Sequence, residues 1–187
     1  MKHQAGQYFH IYNRGVIHQK IFDSHENYLF LLRKIKKYIP NYDLTFIAYC
    51  LMPNHYHFLI RVNEDDQLSP FLQILFNSYT QAYNRQQNRS GTLFEGGAQY
   101  RLVDTTEYVL QLSRYIHLNP VSAGLVRLPE EWEFSNYREW IGTRNGTLVD
   151  LNFVRDFYPD LRSYAAFVHD DLPEEMRKNV SAYVIEK

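Results

Sequence analysis

The sequence predicts an α+β fold: a ferredoxin-like antiparallel sheet with helices on one face, followed by a helical C-terminal extension. Two observations predict this class. The first 103 residues contain segments in the order strand, helix, strand, strand, helix, strand, which is the ferredoxin-like order. Apolar residues alternate in the strand segments and recur every three or four residues in the helical ones. The 187 residues, 45% of them hydrophobic, suffice for one core domain at residues 1–128, with an extension at 129–187 packed on it.

The first four elements follow from turn and capping residues. Residues 7–13 alternate aromatic or apolar with polar side chains and stop at Arg14-Gly15, which predicts a half-buried strand. Ser24 is a helix cap for an amphipathic segment that Pro40 closes. Residues 44–52 and 55–62 are apolar and aromatic, and the turn residues Pro53-Asn54 separate them. We therefore expect two adjacent antiparallel strands at the centre of the sheet.

The later elements are a helix, a strand and more helices. Ser69-Pro70 predicts the start of a second long helix, which ends in the polar loop at 86–91. Residues 92–103 predict a fourth strand, interrupted at Gly96-Gly97. Residues 104–107 resemble a capping box and predict a third helix that runs to Leu118. Residues 150–187 mix apolar and acidic side chains, which predicts further helices laid against the core.

Composition limits the possible surroundings and partners. No apolar run is long enough to span a membrane and the first six residues lack a secretory pattern, so a cytoplasmic location without a membrane partner is expected. The single cysteine, Cys50, lies in an apolar strand and is expected to be buried. Residues 1–128 hold 13 basic and 9 acidic residues, whereas 129–187 hold 7 and 12. A polyanion would therefore bind the first part of the chain.

Two histidines are the first candidates for chemistry. His55 and His57 occupy alternate positions of a predicted strand, so both imidazoles project from one face while Tyr56 projects from the other. This spacing suits two ligands of one metal ion. A polar pair on the solvated side of an antiparallel strand has the same pattern, so a third ligand is needed to support a metal site.

The third helix supplies a tyrosine and an amide. Tyr115 and Asn119 are four residues apart, so they differ by only about 40° around the helix axis and share a face. The Asn119 amide oxygen is a hard metal ligand, but an asparagine before a proline also often ends a helix. His117 points to the opposite side, and no partner is identifiable for His10 or for the remaining histidines.

Together the two motifs resemble those of a known family. His55-Tyr56-His57 is similar to the HUH signature of metal-dependent single-strand DNA nucleases, and residues 49–60 resemble the corresponding stretch of the REP-associated tyrosine transposases. These are relatives of the single-tyrosine transposases of insertion sequences. Three further blocks agree in content and order: Tyr-Asn-Arg-Gly at 12–15, Leu-Phe-Glu-Gly at 93–96, and Tyr-Ile-His-Leu-Asn-Pro-Val at 115–121.

The resemblance implies a complete site and its partners. His55, His57 and Asn119 would bind a divalent metal ion, Mg or Mn, and Tyr115 would be the nucleophile that attaches the enzyme to DNA through a 5'-phosphotyrosine. The substrate would be single-stranded or hairpin DNA at a repetitive element, cleaved and rejoined by a monomer or a homodimer. Residues 1–128 would be the catalytic core.

Three arginines are weaker candidates for DNA binding. Arg14 has the planar fork that clamps a phosphate, although a turn-stabilising role is equally consistent with its position. Arg89 and Arg101 border the predicted fourth strand. After the block at 93–96, relatives commonly continue with a basic and aromatic triplet, whereas this chain has Gly97-Ala98-Gln99. A DNA contact is therefore expected to be absent or shifted there.

Two other functions fit part of the pattern. A non-catalytic protein that docks on hairpin DNA would keep the fold but form no covalent adduct. A metal-dependent hydrolase of a small molecule would use His55 and His57, and Tyr115 would only pack.

Overall fold

The computed structural model describes residues 2–170. Four strands are present: β1 (Tyr8–Arg14), β2 (Leu44–Met52), β3 (His55–Val62) and β4 (Gln99–Val103). Six α-helices accompany them: α1 (His25–Tyr38), α2 (Leu68–Gln86), α3 (Thr106–Ser122), α4 (Tyr137–Trp140), α5 (Leu151–Phe157) and α6 (Leu161–His169). The helices predicted within 171–187 lie outside the described residues.

The sheet has the predicted ferredoxin-like topology. Its strand order is β2-β3-β1-β4, and every neighbouring pair is antiparallel. The register between β1 and β3 places Tyr12 opposite His57 and Arg14 opposite His55. The α+β fold class is thus confirmed, and the strand that carries the paired histidines is central.

Both faces of the sheet are covered. On one face, α1 and α2 bury an apolar layer that includes Phe9, Ile11 and Phe58. On the other face, α3 and the segments after it bury Cys50, Leu59 and Ile116. Burial raises the pKa of the Cys50 thiol, which keeps it protonated. The predicted helices on one face of the sheet are α1 and α2. The third helix, α3, covers the opposite face, which carries the imidazoles.

Two boundaries differ from the sequence expectation. The fourth strand begins at Gln99 rather than near 92, because residues 92–98 form a loop, tied to Gly15 by a bridge at Phe94. The third helix continues past Leu118 to Ser122 and contains Pro120, so Asn119 is inside the helix. Proline removes its own N–H donor and crowds the carbonyl one turn earlier, but the helix continues beyond it, since Ala123 N donates to Asn119 O.

Residues 129–170 pack mainly on the α3 side of the sheet. Phe134 O accepts a hydrogen bond from Leu51 N, and Trp140 is completely buried. Phe134 reaches the other core layer, where its ring stacks on Tyr28 with centroids 3.8 Å apart. The division of the chain at residue 128 stays a prediction. In the part of the chain that the structure describes, no helix is both long and apolar enough to cross a membrane.

Candidate active site

The two imidazoles of β3 lie side by side on the α3 face of the sheet. The ring centroids of His55 and His57 are 5.1 Å apart. His57 is completely buried, and His55 is partly exposed. The alternation of a β-strand therefore places both rings on one face, as the sequence predicts, with an opening to solvent on the His55 side.

Asn119 of α3 meets both rings. Its Oδ1 atom lies 3.1 Å from His55 Nε2, and its Nδ2 atom lies 3.3 Å from His57 Nε2. The helix reaches the imidazoles because its apolar positions, among them Leu112 and Ile116, pack on the same face of the sheet. Three side chains that can bind a metal thus converge, although the amide lies 64 residues after His55 and 62 after His57 in the chain.

Tyr115 lies one helical turn before Asn119 and faces the same site. Its ring makes an edge-to-face contact with His57, with centroids 5.5 Å apart, and the residue is partly exposed. The phenol is therefore neither deep in apolar packing nor remote from the imidazoles. The structure brings together the four residues that the sequence analysis selects for chemistry.

His10 is a member of this cluster that the sequence analysis does not find. Its Nε2 atom lies 2.9 Å from His57 Nδ1, and it is completely buried on β1. The expectation that His10 has no identifiable partner is wrong. Asn119 Nδ2 can only donate, so His57 Nε2 accepts; His57 Nδ1 then carries the proton and donates to His10 Nε2.

Burial keeps these histidines neutral. It lowers the pKa of His57 well below the usual range, and the neighbouring His55 and His10 lower it further. Burial also lowers the pKa of His55, which a hydrogen bond to Asn119 partly offsets. For His10, burial and then the charge of Arg101 lower the pKa to about 3. Neutral imidazoles have lone pairs that bind a metal without first releasing a proton.

The donor set fits a divalent cation. His55 Nδ1 lies 2.7 Å from Asn54 Oδ1 and is placed to donate to it. If it does, His55 Nε2 and Asn119 Oδ1 face each other as two electron-pair donors, unless the ring is doubly protonated, which burial opposes. A cation between them removes this repulsion. Adjacent ligands on an octahedral ion with bonds of about 2.1 Å lie about 3 Å apart, close to the spacings seen here.

A comparison with models of protein families shows to which family the chain belongs. Residues 4–119 match the sequence model of the family described as Transposase IS200 like, which covers more than half of the chain. The chain belongs to the IS200-like transposase family. The matched region includes both histidines, Tyr115 and Asn119. Among the described residues there is no group of three or more His, Cys, Asp or Glu side chains placed to hold a metal.

One curated protein and one solved structure that are similar to this chain carry related names. A putative REP-associated tyrosine transposase of Haemophilus influenzae is 24% identical over 112 residues. That match covers 54% of this chain and 64% of the relative's length. A solved structure titled as a REP-associated tyrosine transposase bound to a REP hairpin is 18% identical, with a TM-score of 0.62. It covers 80% of this chain and 91% of the other, and it shows a shared fold.

The three candidate arginines occupy different places. Arg101 is exposed on β4 beside the imidazoles, and its Nε atom donates to the Tyr12 hydroxyl at 3.1 Å. Arg14 lies opposite His55 in the strand register and forms an ion pair with Glu95. Arg89 supports the loop before β4 instead, by donating to Gln19 and to the carbonyl of Thr92. Arg14 and Arg101 therefore border the candidate site, whereas Arg89 contacts Gln19 and the start of the loop at 92–98.

Proposed function

We propose that this transposase is a metal-dependent endonuclease and strand transferase for single-stranded DNA beside hairpin-forming repetitive elements. The observation that supports the proposal most directly is the convergence of His55, His57 and Asn119 with the phenol of Tyr115. The His57 ring makes an edge-to-face contact with the Tyr115 ring, and Asn119, one helical turn away, contacts both imidazoles. The name of the solved relative, which was bound to a REP hairpin, supports hairpin DNA as the partner.

In the proposed reaction, Tyr115 attacks a phosphodiester. Its phenol oxygen forms a bond to phosphorus and gives up its proton, and the bond from phosphorus to the 3' oxygen breaks. The products are a 5'-phosphotyrosine and a strand that ends in a 3'-hydroxyl, which takes up one proton. Reversal with the same or another 3'-hydroxyl rejoins the DNA. No nucleotide cofactor is needed, because the phosphotyrosine bond conserves the energy of the phosphodiester.

His55, His57 and Asn119 would hold the divalent cation, Mg or Mn, beside the scissile phosphate. Such an ion withdraws charge from the phosphate oxygens and favours the phenolate over the phenol. All three ligands are uncharged, so the cation keeps its double positive charge at the position where negative charge develops. Arg101 and Arg14, at the border of the site, would contact the phosphates on either side.

The test uses covalent capture. A library of short hairpins with single-stranded flanks is incubated with the protein and manganese and separated on a denaturing gel. Wild type should give a shifted adduct, and the Tyr115→Phe variant should lose it while binding the same DNA within about threefold. Tyr108→Phe is the matched control, because Tyr108 is another partly exposed tyrosine of α3, about two turns away.

Three outcomes would contradict the proposal. If no hairpin gives an adduct, a non-catalytic DNA-binding protein is the better description. If Tyr115→Phe and Tyr108→Phe keep the adduct equally, Tyr115 is not the nucleophile. If the chain turns over a small molecule and Tyr115→Phe leaves that turnover intact, the site is that of a hydrolase.

A further inference from the structure

A cavity of about 340 Å³ lies on the other face of the sheet, behind the imidazoles. Its walls are α2, the end of β1 and the loop at 92–98, and Tyr56 lies among its lining residues. Tyr56 is the residue between His55 and His57, so one strand contributes to both sites from opposite faces. The volume is at the small end of the range for ligand pockets, which suits a compact ligand.

The lining of the cavity is aromatic and polar but uncharged. Phe76 stacks on Tyr56, with centroids 4.5 Å apart, and Phe94 meets both rings edge-on. Gln73 and Asn77 present exposed amides along the α2 wall. No Asp, Glu, Lys, Arg or His side chain is part of the lining. Such a surface favours a neutral, planar ligand that stacks on aromatic rings and has hydrogen-bonding groups at its edge.

One polar group in the lining has no partner. The Tyr56 hydroxyl is completely buried and makes no hydrogen bond within the described residues. An unpaired hydroxyl in the interior is unfavourable, and most buried polar groups in proteins are satisfied. In the free protein the Tyr56 hydroxyl makes no hydrogen bond within the described residues. A bound ligand would supply the missing hydrogen-bond partner.

The loop at 92–98 leaves the cavity open. A Cβ atom built on Gly96 or Gly97 would have no neighbour within 4 Å. Asn13 holds this loop in place, because its Nδ2 atom donates to the carbonyl of Gly96. Asn13 also lies opposite Tyr56 in the strand register, one residue before Arg14. The cavity therefore lies next to the C-terminal end of β1. At the same end, Arg14 borders the candidate active site on the other face of the sheet.

We propose that this cavity binds one unpaired base of the DNA that the active site cuts. The inference rests on the proposed function and adds a second contact to it, on the reverse face of the same strand. A nucleobase matches the cavity, since it is planar and uncharged, stacks on aromatic side chains, and carries donors and acceptors for an amide and a phenol hydroxyl.

The test couples the cavity to one position of the DNA. A hairpin that wild type binds is remade with an abasic site at each position of its single-stranded flanks, and Kd is measured by fluorescence anisotropy in EDTA, which prevents cleavage. At one position, loss of the base should weaken binding about tenfold, as expected for a stacked base. Tyr56→Phe and Gln73→Ala should each weaken binding of the intact DNA about threefold to tenfold and weaken binding of that abasic DNA no further.

Two controls separate this effect from a folding defect. Gln81→Ala changes an exposed glutamine of the same helix that is not part of the lining, and it should leave every Kd unchanged. Tyr56→Phe should not lower the urea midpoint, because its hydroxyl has no partner in the free protein. If hairpins bind but no position couples to Tyr56 and Gln73, the base-binding inference is overturned and the proposed function stands. If no hairpin binds at all, both fail together.

Discussion

At the scale of single residues, we expect the contact between His10 and His57 to affect how well the candidate site holds a cation. His57 Nε2 is available to a metal only if the proton is on Nδ1, and the nitrogen of His10 that lies 2.9 Å from Nδ1 favours that form. A hydrogen bond of this kind also fixes the orientation of a metal-binding ring.

We predict that His10→Phe lowers the affinity for manganese by about tenfold to a hundredfold, the usual effect of losing such a supporting contact. His10→Gln should lose less, because its amide oxygen can still accept a hydrogen bond from His57 Nδ1. Isothermal titration calorimetry with manganese and no DNA measures both affinities. Equal affinities in wild type and His10→Phe would show that His10 has no role in binding the cation.

The residues differ in how far sequence could predict their placement. His55 and His57 share a face because strand geometry requires it, and Tyr115 and Asn119 do so because helix geometry does. That these two pairs meet depends on α3 packing on the imidazole face, which no local pattern specifies. His10 was missed for a similar reason: its contact with His57 spans 47 residues and depends on the register between two strands.

At the scale of elements, α3 carries both Tyr115 and Asn119, and a buried polar network anchors the other side of this helix. Asn136 Oδ1 accepts from Tyr49 N, while Nδ2 of the same amide donates to Ile47 O. Its oxygen therefore faces His117 Nε2, 3.0 Å away, which must carry the proton. His117 Nδ1 is then an acceptor, and the Tyr164 hydroxyl donates to it at 2.7 Å.

Tyr164→Phe should lower the free energy of unfolding by about 1–3 kcal/mol, because it leaves a buried acceptor on His117 without a donor. The matched control is Tyr158→Phe, which changes a partly exposed neighbour and should cost no more than about 0.5 kcal/mol. Urea unfolding followed by circular dichroism measures both. Equal losses in the two variants would contradict the hydrogen-bond assignment in this network.

Element boundaries were the least predictable part of the fold. The proline at 120 suggests that the third helix ends at Leu118, but packing of the helix end against the core outweighs the loss of one N–H donor. The fourth strand was expected over residues 92–103, with an interruption at Gly96-Gly97, but it begins at Gln99. The Gly96-Gly97 interruption instead marks the point at which the chain leaves the sheet edge and lines the cavity.

At the scale of the whole molecule, one antiparallel sheet separates two chemically different sites. The α3 face carries neutral imidazoles, an amide and a tyrosine, and it is bordered by arginine. The α1 and α2 face carries an uncharged aromatic cavity. Both are built at the same strands, so a single-stranded segment that passes around the end of β1 could contact the two sites together. The strand order needed for this arrangement follows from the sequence, since the ferredoxin-like order of elements places β1 beside β3.

The same burial that prepares these imidazoles for a cation makes the folded protein sensitive to acid. Burial lowers the pKa of His117 to about 4, partly offset by its hydrogen bond to Asn136, and burial also lowers the pKa of His57 well below its usual range. In the unfolded chain, histidine has a pKa of about 6.5, so below pH 6.5 the unfolded state binds protons that the folded state does not. Each such histidine should therefore reduce the free energy of unfolding by up to about 1.4 kcal/mol per pH unit as the pH falls from 6.5 toward its folded pKa.

Urea unfolding at pH 7.5, 6.5, 5.5 and 5.0, without metal, measures this slope, and His117→Gln should make it shallower by the contribution of one histidine. Parallel curves for wild type and His117→Gln would show that folding does not lower the pKa of this imidazole.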